Sequence, residues 1–267
     1  MTIDQWLKTA GAKLAKVDIG SAHLDSLILL EDALQKDRAW ILAHKETALN
    51  NTQVGKLKRQ IDRRSHHEPL AYIRGFTEFY GRRFKINRHV LEPRPESETM
   101  IELLKNLPLP DKPEIADIGT GSGAIGITAS LEIHKTTVDL YDIDSYALAV
   151  ARHNTVMHEL HLHAYKRDLL NRPARAYDVL LANLPYVPDH WKINDAAAME
   201  PRIAIFGGKD GLDIYRRFFS QLGNMGNRPK FVLTEALPPQ HQALAKIAAD
   251  GGYQLRQSED FIQIFEA

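Results

Sequence analysis

The chain has 267 residues, enough for one large domain or a large and a small one, and 44% of them are apolar, so a sizeable core is expected. Lys plus Arg and Asp plus Glu each number 34, which excludes the global basic field of a nonspecific nucleic-acid binder. There is no cysteine, which excludes disulfides, thiolate metal sites and a cysteine nucleophile and fits a reducing cytoplasm.

The segment Met1 to Trp6 shows no basic region followed by an apolar one, so a signal peptide is not expected. No apolar run nears the ~20 residues of a membrane span, and a cytoplasmic monomer without a membrane partner is the expectation. Apolar residues then recur at helical spacing: Ile3, Trp6, Leu7 and Ala10, next Leu24, Leu27, Leu30 and Ala33, then Trp40, Ile41 and Ala43. Ser21 and Asp37 are expected N-caps. Residues 53–65 read as a further helix with a cationic face of Lys56, Lys58, Arg59, Arg63 and Arg64. Residues 1–74 are therefore expected to form a small helical bundle.

From Phe76 the pattern shifts to period two, with Phe79, Phe84, Ile86 and Val90 broken by Gly75 and Gly81, so residues 75–92 are expected to be a β-hairpin connector. Leu91-Glu92-Pro93-Arg94-Pro95 interrupts regular structure twice, and a helix is expected from Glu96 through Met100 to Leu104. Beyond it, strands at 114–118, 137–142, 163–167, 177–182, 230–235, 253–256 and 261–265 alternate with helices at 123–132, 145–158, 211–224 and 239–250. That alternation predicts an α/β domain over residues 93–267, a doubly wound, Rossmann-like sheet of seven mostly parallel strands. Only a short turn separates the last two strands, so the last is expected to run antiparallel. His158, His161 and His163 cluster in sequence, but no acidic ligand completes a set, and no metal site is expected.

Two segments carry chemistry. In Ala116-Asp117-Ile118-Gly119-Thr120-Gly121-Ser122-Gly123 a strand runs into a glycine turn and then a helix, a place where backbone can approach a ligand and a helix N-terminus offers free N–H groups. Nineteen residues on, Asp142 ends the next strand, where a carboxylate can accept hydrogen bonds from a ribose. Gly121-x-Gly123-x-x-Gly126 matches a dinucleotide pattern, so a nicotinamide oxidoreductase is a rival. The tighter Gly119-x-Gly121-x-Gly123 after Asp117 suits the amino-acid part of S-adenosylmethionine, whose ammonium an acid before the glycines can meet. The second segment is Asn183-Leu184-Pro185-Tyr186, which closes an apolar strand at the edge where open α/β sheets bind ligands. Two acceptors beside an aromatic ring suit a planar –NH2 group, although an Asx-type turn at a strand end has the same composition.

Asp117 to Gly123, Leu91 to Glu98, Asn183 to Val187 and Glu200-Pro201-Arg202-Ile203-Ala204-Ile205-Phe206-Gly207-Gly208-Lys209-Asp210-Gly211 together resemble the HemK/PrmC family, methyltransferases of the glutamine in the Gly-Gly-Gln motif of peptide chain release factors. Pro69-Leu70-Ala71-Tyr72-Ile73 with Gly75, and Glu78-Phe79 with Gly81, resemble its connector. The resemblance covers nearly the whole chain. It implies the class I methyltransferase fold, S-adenosyl-L-methionine as donor with S-adenosyl-L-homocysteine as product, and release factors as the protein substrate, which the helical front, residues 1–74, is expected to dock. By that resemblance Gly119, Thr120, Gly121, Ser122 and Gly123 hold the methionine part, Asp142 the ribose, Asp168 and Leu169 flank the adenine, and Asn183 also lines the donor site. The side-chain oxygen of Asn183 and the carbonyl of Leu184 are expected to take the two N–H bonds of the glutamine amide, with Pro185 and Tyr186 shaping the loop and packing on its plane.

Two positions depart from the family pattern: Leu184 stands where proline is usual, and Ser97 where threonine is usual. The first removes proline's fixed φ and leaves the carbonyl in place; the second keeps a hydroxyl. The sister enzyme acting on a ribosomal-protein glutamine and an enzyme acting on the adenine amine of nucleic acid share the Asn-x-Pro-Tyr logic. A nucleic-acid enzyme should carry a basic groove, whereas residues 93–267 hold a net charge of −5 against +5 for residues 1–92. A donor-binding scaffold without activity is the rival outside enzymes.

Overall fold

A computed structural model describes residues 1–267, which divide into two compact units: Met1–Gly75 with Asn194–Met199, and Phe76–Ile193 with Glu200–Ala267. The first unit is helical, with α1 (Ile3–Ala15), α2 (Ala22–Leu34), α3 (Arg38–Ala43), α4 (Asn51–Arg64) and α5 (Leu70–Arg74). Thr2 with Gln5, and Asn50 with Gln53, close capping boxes at α1 and α4, satisfying N–H groups that the helices leave free. Asp37 caps α3 through the Trp40 N–H, as expected. Ser21 precedes α2 without a side-chain cap, because its backbone (φ −89°, ψ 13°) is already turned away from the extended conformation that a capping hydroxyl needs. Ile3, Leu14, Leu29, Leu30, Ile41 and Leu57 form the core of this unit. Arg64 is drawn into it by Asp25, with Nε 2.7 Å from the carboxylate.

The second unit opens with a hairpin, β1 (Phe76–Phe79) and β2 (Arg82–Lys85), joined through Tyr80 and Gly81, both at positive φ as a tight hairpin turn requires. After a single 3-10 turn at Pro95–Ser97 comes α6 (Glu98–Lys105). The remainder alternates as the pattern predicts, with one short unpredicted helix, α9: β3 (Glu114–Ile118), α7 (Ala124–Glu132), β4 (Thr137–Asp142), α8 (Ser145–Met157), β5 (His163–Lys166), β6 (Val179–Ala182), α9 (Arg202–Ile205), α10 (Asp213–Gly223), β7 (Phe231–Glu235), α11 (His241–Asp250), β8 (Gln254–Glu259) and β9 (Ile262–Glu266). The seven strands run in the order β5-β4-β3-β6-β7-β9-β8. Pairing is parallel from β5 to β7, and β9 is antiparallel to both of its neighbours.

One core, with Tyr215, Phe218, Phe219, Leu244 and Ala248 from α10 and α11, covers one face of the sheet; Met100, Ile101, Ile127 and Ala151 from α6, α7 and α8 belong to the core on the other. The chain reverses direction across the sheet between β3 and β6, and such a switch point opens a crevice at the carboxyl ends of the strands. Both chemistry-bearing segments end at that crevice. No helix is long and apolar enough to cross a membrane.

Candidate active site

β3 is apolar and buried, and it delivers its chain into a turn in which Gly119 has φ +73°. A Cβ on Gly119 would lie 3.0 Å from Cδ2 of Leu184, so this glycine permits both the turn and the close approach of the β6 loop. Asp117 is 1% exposed and stands behind the turn: its Oδ2 accepts hydrogen bonds from Thr120 Oγ1 and, at 2.9 Å, from the Gly126 N–H. It braces the loop and caps α7. Burial pushes its carboxyl up to about 6, against the pull of those two donors. Gly126 is a packing glycine, since a Cβ there would come within 2.4 Å of Leu140 Cδ2 and 2.9 Å of Asp117.

A cavity extends from this turn to the β6 loop. Of the residues singled out in the sequence, it brings together Gly119, Thr120, Gly121, Ser122, Asp142, Asp168, Leu169, Asn183, Leu184 and Pro185. Asp117, Gly123 and Tyr186 are not on its wall. Asp142 accepts the Gly121 N–H on Oδ2 at 2.9 Å and the Asp144 N–H on Oδ1 at 2.8 Å, so both oxygens are held with lone pairs to spare. Burial raises its pKa, and the same N–H groups oppose the shift. Asp168 pairs with Arg217 at the cavity edge. Leu169 lines the cavity and belongs to the core, so packing and ligand contact are compatible roles for it. These groups fit a cationic sulfonium donor: a glycine turn that its backbone can approach, the Asp142 carboxylate for hydroxyl groups, and apolar Ile143 and Leu169 for a flat base, whereas Asp117, held behind the turn, does not meet the ammonium as the sequence suggests.

The other end of the cavity is built on the end of β6. Asn183 donates from Nδ2 to Ser97 Oγ at 3.0 Å. Leu184 is 2% exposed, its N–H meets the Tyr215 hydroxyl at 3.3 Å, and that hydroxyl also contacts the carbonyls of Ala182 and Glu235. The Tyr186 hydroxyl donates to Glu235 Oε1 at 2.9 Å, and burial with that carboxylate beside it raises the phenol's pKa. Gln240 gives its Nε2 hydrogens to the carbonyls of Tyr186 and Asp210, both at 2.8 Å. Arg94, on the cavity wall, pairs with buried Glu200, which also accepts the Glu92 N–H at 3.1 Å. Glu98 accepts the Tyr80 N–H at 2.7 Å and serves the hairpin.

Sequence reasoning missed Glu235, Gln240 and Arg217. A carboxylate closing the apolar run Phe231-Val232-Leu233-Thr234 at the ligand edge of the sheet was the available signal for Glu235. Gln240 and Arg217 offered none, since each lies on a helix or helical turn and reaches the site only through the fold. His158 bonds the Arg83 carbonyl at 3.0 Å, and no group of His, Asp or Glu side chains is arranged to hold a metal ion.

The PrmC N-terminal domain family matches residues 5–75, and the methyltransferase small domain family matches residues 97–200. A release factor glutamine methyltransferase of Coxiella burnetii is 37% identical over 215 residues, covering 79% of this chain and 77% of that protein. One from Koribacter versatilis is 36% identical over 231 residues, covering 83% and 81% respectively. Among solved structures, a methyltransferase from Pyrococcus furiosus has a TM-score of 0.52 at 14% identity, over 81% of this chain and 98% of that one, a likeness of fold.

Proposed function

The chain belongs to the release factor glutamine methyltransferase family, and from that premise we propose that Asn183 and the Leu184 carbonyl are the acceptors that hold the reacting amide. The enzyme methylates the side-chain nitrogen of a release-factor glutamine, which we place in the Gly-Gly-Gln motif. It acts as a single chain on protein, in the cytoplasm where translation ends, without a nucleic-acid partner.

S-adenosyl-L-methionine supplies, when bound, an electrophilic methyl group on a cationic sulfur and leaves as S-adenosyl-L-homocysteine. A carboxamide nitrogen is a poor nucleophile because its lone pair is delocalised, so the protein's task is placement and charge stabilisation. Asn183 Oδ1 and the Leu184 carbonyl take the two N–H bonds, fixing the amide plane with its nitrogen toward the donor turn. As the nitrogen forms its bond to carbon it becomes positive, both acceptors gain strength, and its surplus proton passes to water. Leu184 suits this role despite the missing proline, because its side chain packs on Gly119 and ties the acceptor loop to the donor turn.

The observation that carries the reading is the meeting of Asn183 and Leu184 with the Gly119–Ser122 turn in one cavity. Labelled S-adenosylmethionine offered in parallel with release factor, large-subunit ribosomal protein and DNA should label the release-factor glutamine; label on DNA alone would overturn it. The substitution Asn183→Ala should lower kcat by about 10²–10³, the usual cost of losing one preorganised partner of transition-state charge, while calorimetry finds donor affinity nearly intact. Equal loss of donor binding would instead place Asn183 with the donor.

A further inference from the structure

An amide side chain has two ends of nearly the same size, and sterics alone do not choose which one faces a cavity. At Asn183 the choice decides the chemistry: its oxygen attracts a substrate –NH2, and its own –NH2 repels one.

Glu235 ends β7, the strand paired with β6, and is 1% exposed. It is surrounded by donors. Ser97 Oγ lies 2.5 Å from Oε2, and the Tyr186 hydroxyl 2.9 Å from Oε1. Burial raises the Glu235 pKa, while hydrogen bonds from Ser97, Tyr186 and Asn183 favour the ionised form. Each of its oxygens accepts from a hydroxyl, Oε2 from Ser97 and Oε1 from Tyr186, so Ser97 spends its single hydrogen there. The Ser97 oxygen is then left with lone pairs, and the group facing it is Asn183 Nδ2 at 3.0 Å. Asn183 is thereby held with its nitrogen toward Ser97 and its oxygen on the opposite side. Each donor in this chain is dictated by the acceptor before it, beginning with a carboxyl group whose two oxygens both accept from hydroxyls.

We propose that Glu235 and Ser97 are positioning residues that set the polarity of the Asn183 amide, so that its oxygen receives the substrate glutamine. The inference rests on the reading of Asn183 as an acceptor of that amide. Tyr186 is held on the same carboxylate, so loop and amide share one anchor. Ser97 gains a role here that its mild departure from threonine does not suggest: it must accept and donate at once, which either hydroxyl residue does and alanine does not.

The test is steady-state methylation of release factor by the full chain, with donor affinity by calorimetry and melting temperature alongside. Wild-type inactivity on that substrate would sink the functional reading itself; the variants judge only the polarity chain. Ser97→Ala and Glu235→Gln should each lower kcat by about 10²-fold, with donor Kd and melting near wild type, and Ser97→Thr should recover kcat to within about fivefold. In Asn183→Asp the new carboxylate competes with Glu235 for the Ser97 hydrogen. Adding Glu235→Gln reverses the chain, because a glutamine –NH2 can donate to Ser97 and free that hydrogen for the new carboxylate. The double variant should therefore exceed Asn183→Asp alone by about tenfold in kcat. A double variant no better than the single one overturns the proposal. So does a Ser97→Ala enzyme with kcat within about threefold of wild type, or one whose loss is all in donor binding or folding.

Discussion

Asp117 shows how one buried carboxyl can shape the behaviour of the protein with pH. In the unfolded chain it titrates near 3.8, and in the folded one burial raises that to about 6. Between these values the native state keeps a proton that the unfolded state has lost. The stability contributed by this group is thus fully present below about 4 and is lost as pH rises through about 6. Asp117→Asn removes the titration and keeps an oxygen able to accept from both Thr120 and Gly126. Melting of both proteins from about pH 4 to about pH 7 should show the variant gaining on wild type as pH rises, and a gap that stays constant would remove Asp117 from the account. Leu184 makes a different point at the same scale. A substitution in a family motif reads as a loss of rigidity, yet its side chain fills the space over Gly119, where only a residue without Cβ leaves room.

The β6 loop is held from behind by the segment after α9. Gly211 has φ +80°, and a Cβ there would fall 2.0 Å from the Tyr186 carbonyl oxygen; one at Gly207 would fall 2.3 Å from that of Pro185. Backbone packed on backbone leaves no flexible atom to give way. Gly211→Ala should therefore displace the acceptor loop and lower kcat by about 10² or more, since a misplacement of about 1 Å has that cost. Donor affinity should change little, because Gly211 is not among the residues lining the cavity. A variant with wild-type kcat would mean that the segment is not the support of the loop. Periodicity and turn residues made the elements legible, to within a residue or two at most ends. β6 starts at Val179 and not at Tyr177, because Asp178 exchanges hydrogen bonds with Glu114 and ends the regular pairing there. What local pattern does not declare is which strands become neighbours through helical crossovers. Ser97 and Asn183 are 86 positions apart, and Ser97 and Glu235 are 138 apart. Glu235 is therefore an ordinary strand end in sequence and, in the fold, the group on which Tyr186 of the β6 loop and Ser97 are held.

For the molecule as a whole, charge is divided along the chain, +5 over residues 1–92 and −5 over the remainder. The cationic face of α4 is only partly available for recognition. Arg64 is buried on Asp25, and Arg63 is paired with Glu68, whereas Lys56, Lys58 and Arg59 are exposed. Removing either partner of the buried pair leaves a charge without compensation and costs stability. Reversing the exposed three leaves the core of the unit untouched. We propose that the helical unit docks the protein substrate; on that reading these three are rim charges, and rim charges act chiefly on encounter and its salt dependence. The combination Lys56→Glu, Lys58→Glu and Arg59→Glu should raise KM for intact release factor by roughly tenfold at low salt, an effect that fades as the Debye length contracts toward ~8 Å at physiological ionic strength. Donor affinity and kcat should hold, and so should KM for a short peptide carrying the target glutamine, because neither the donor cavity nor the Asn183 loop includes α4. An unchanged KM for the intact protein would show that α4 takes no part in docking. An equal rise for the short peptide would place these charges near the reacting glutamine and not at a distant contact.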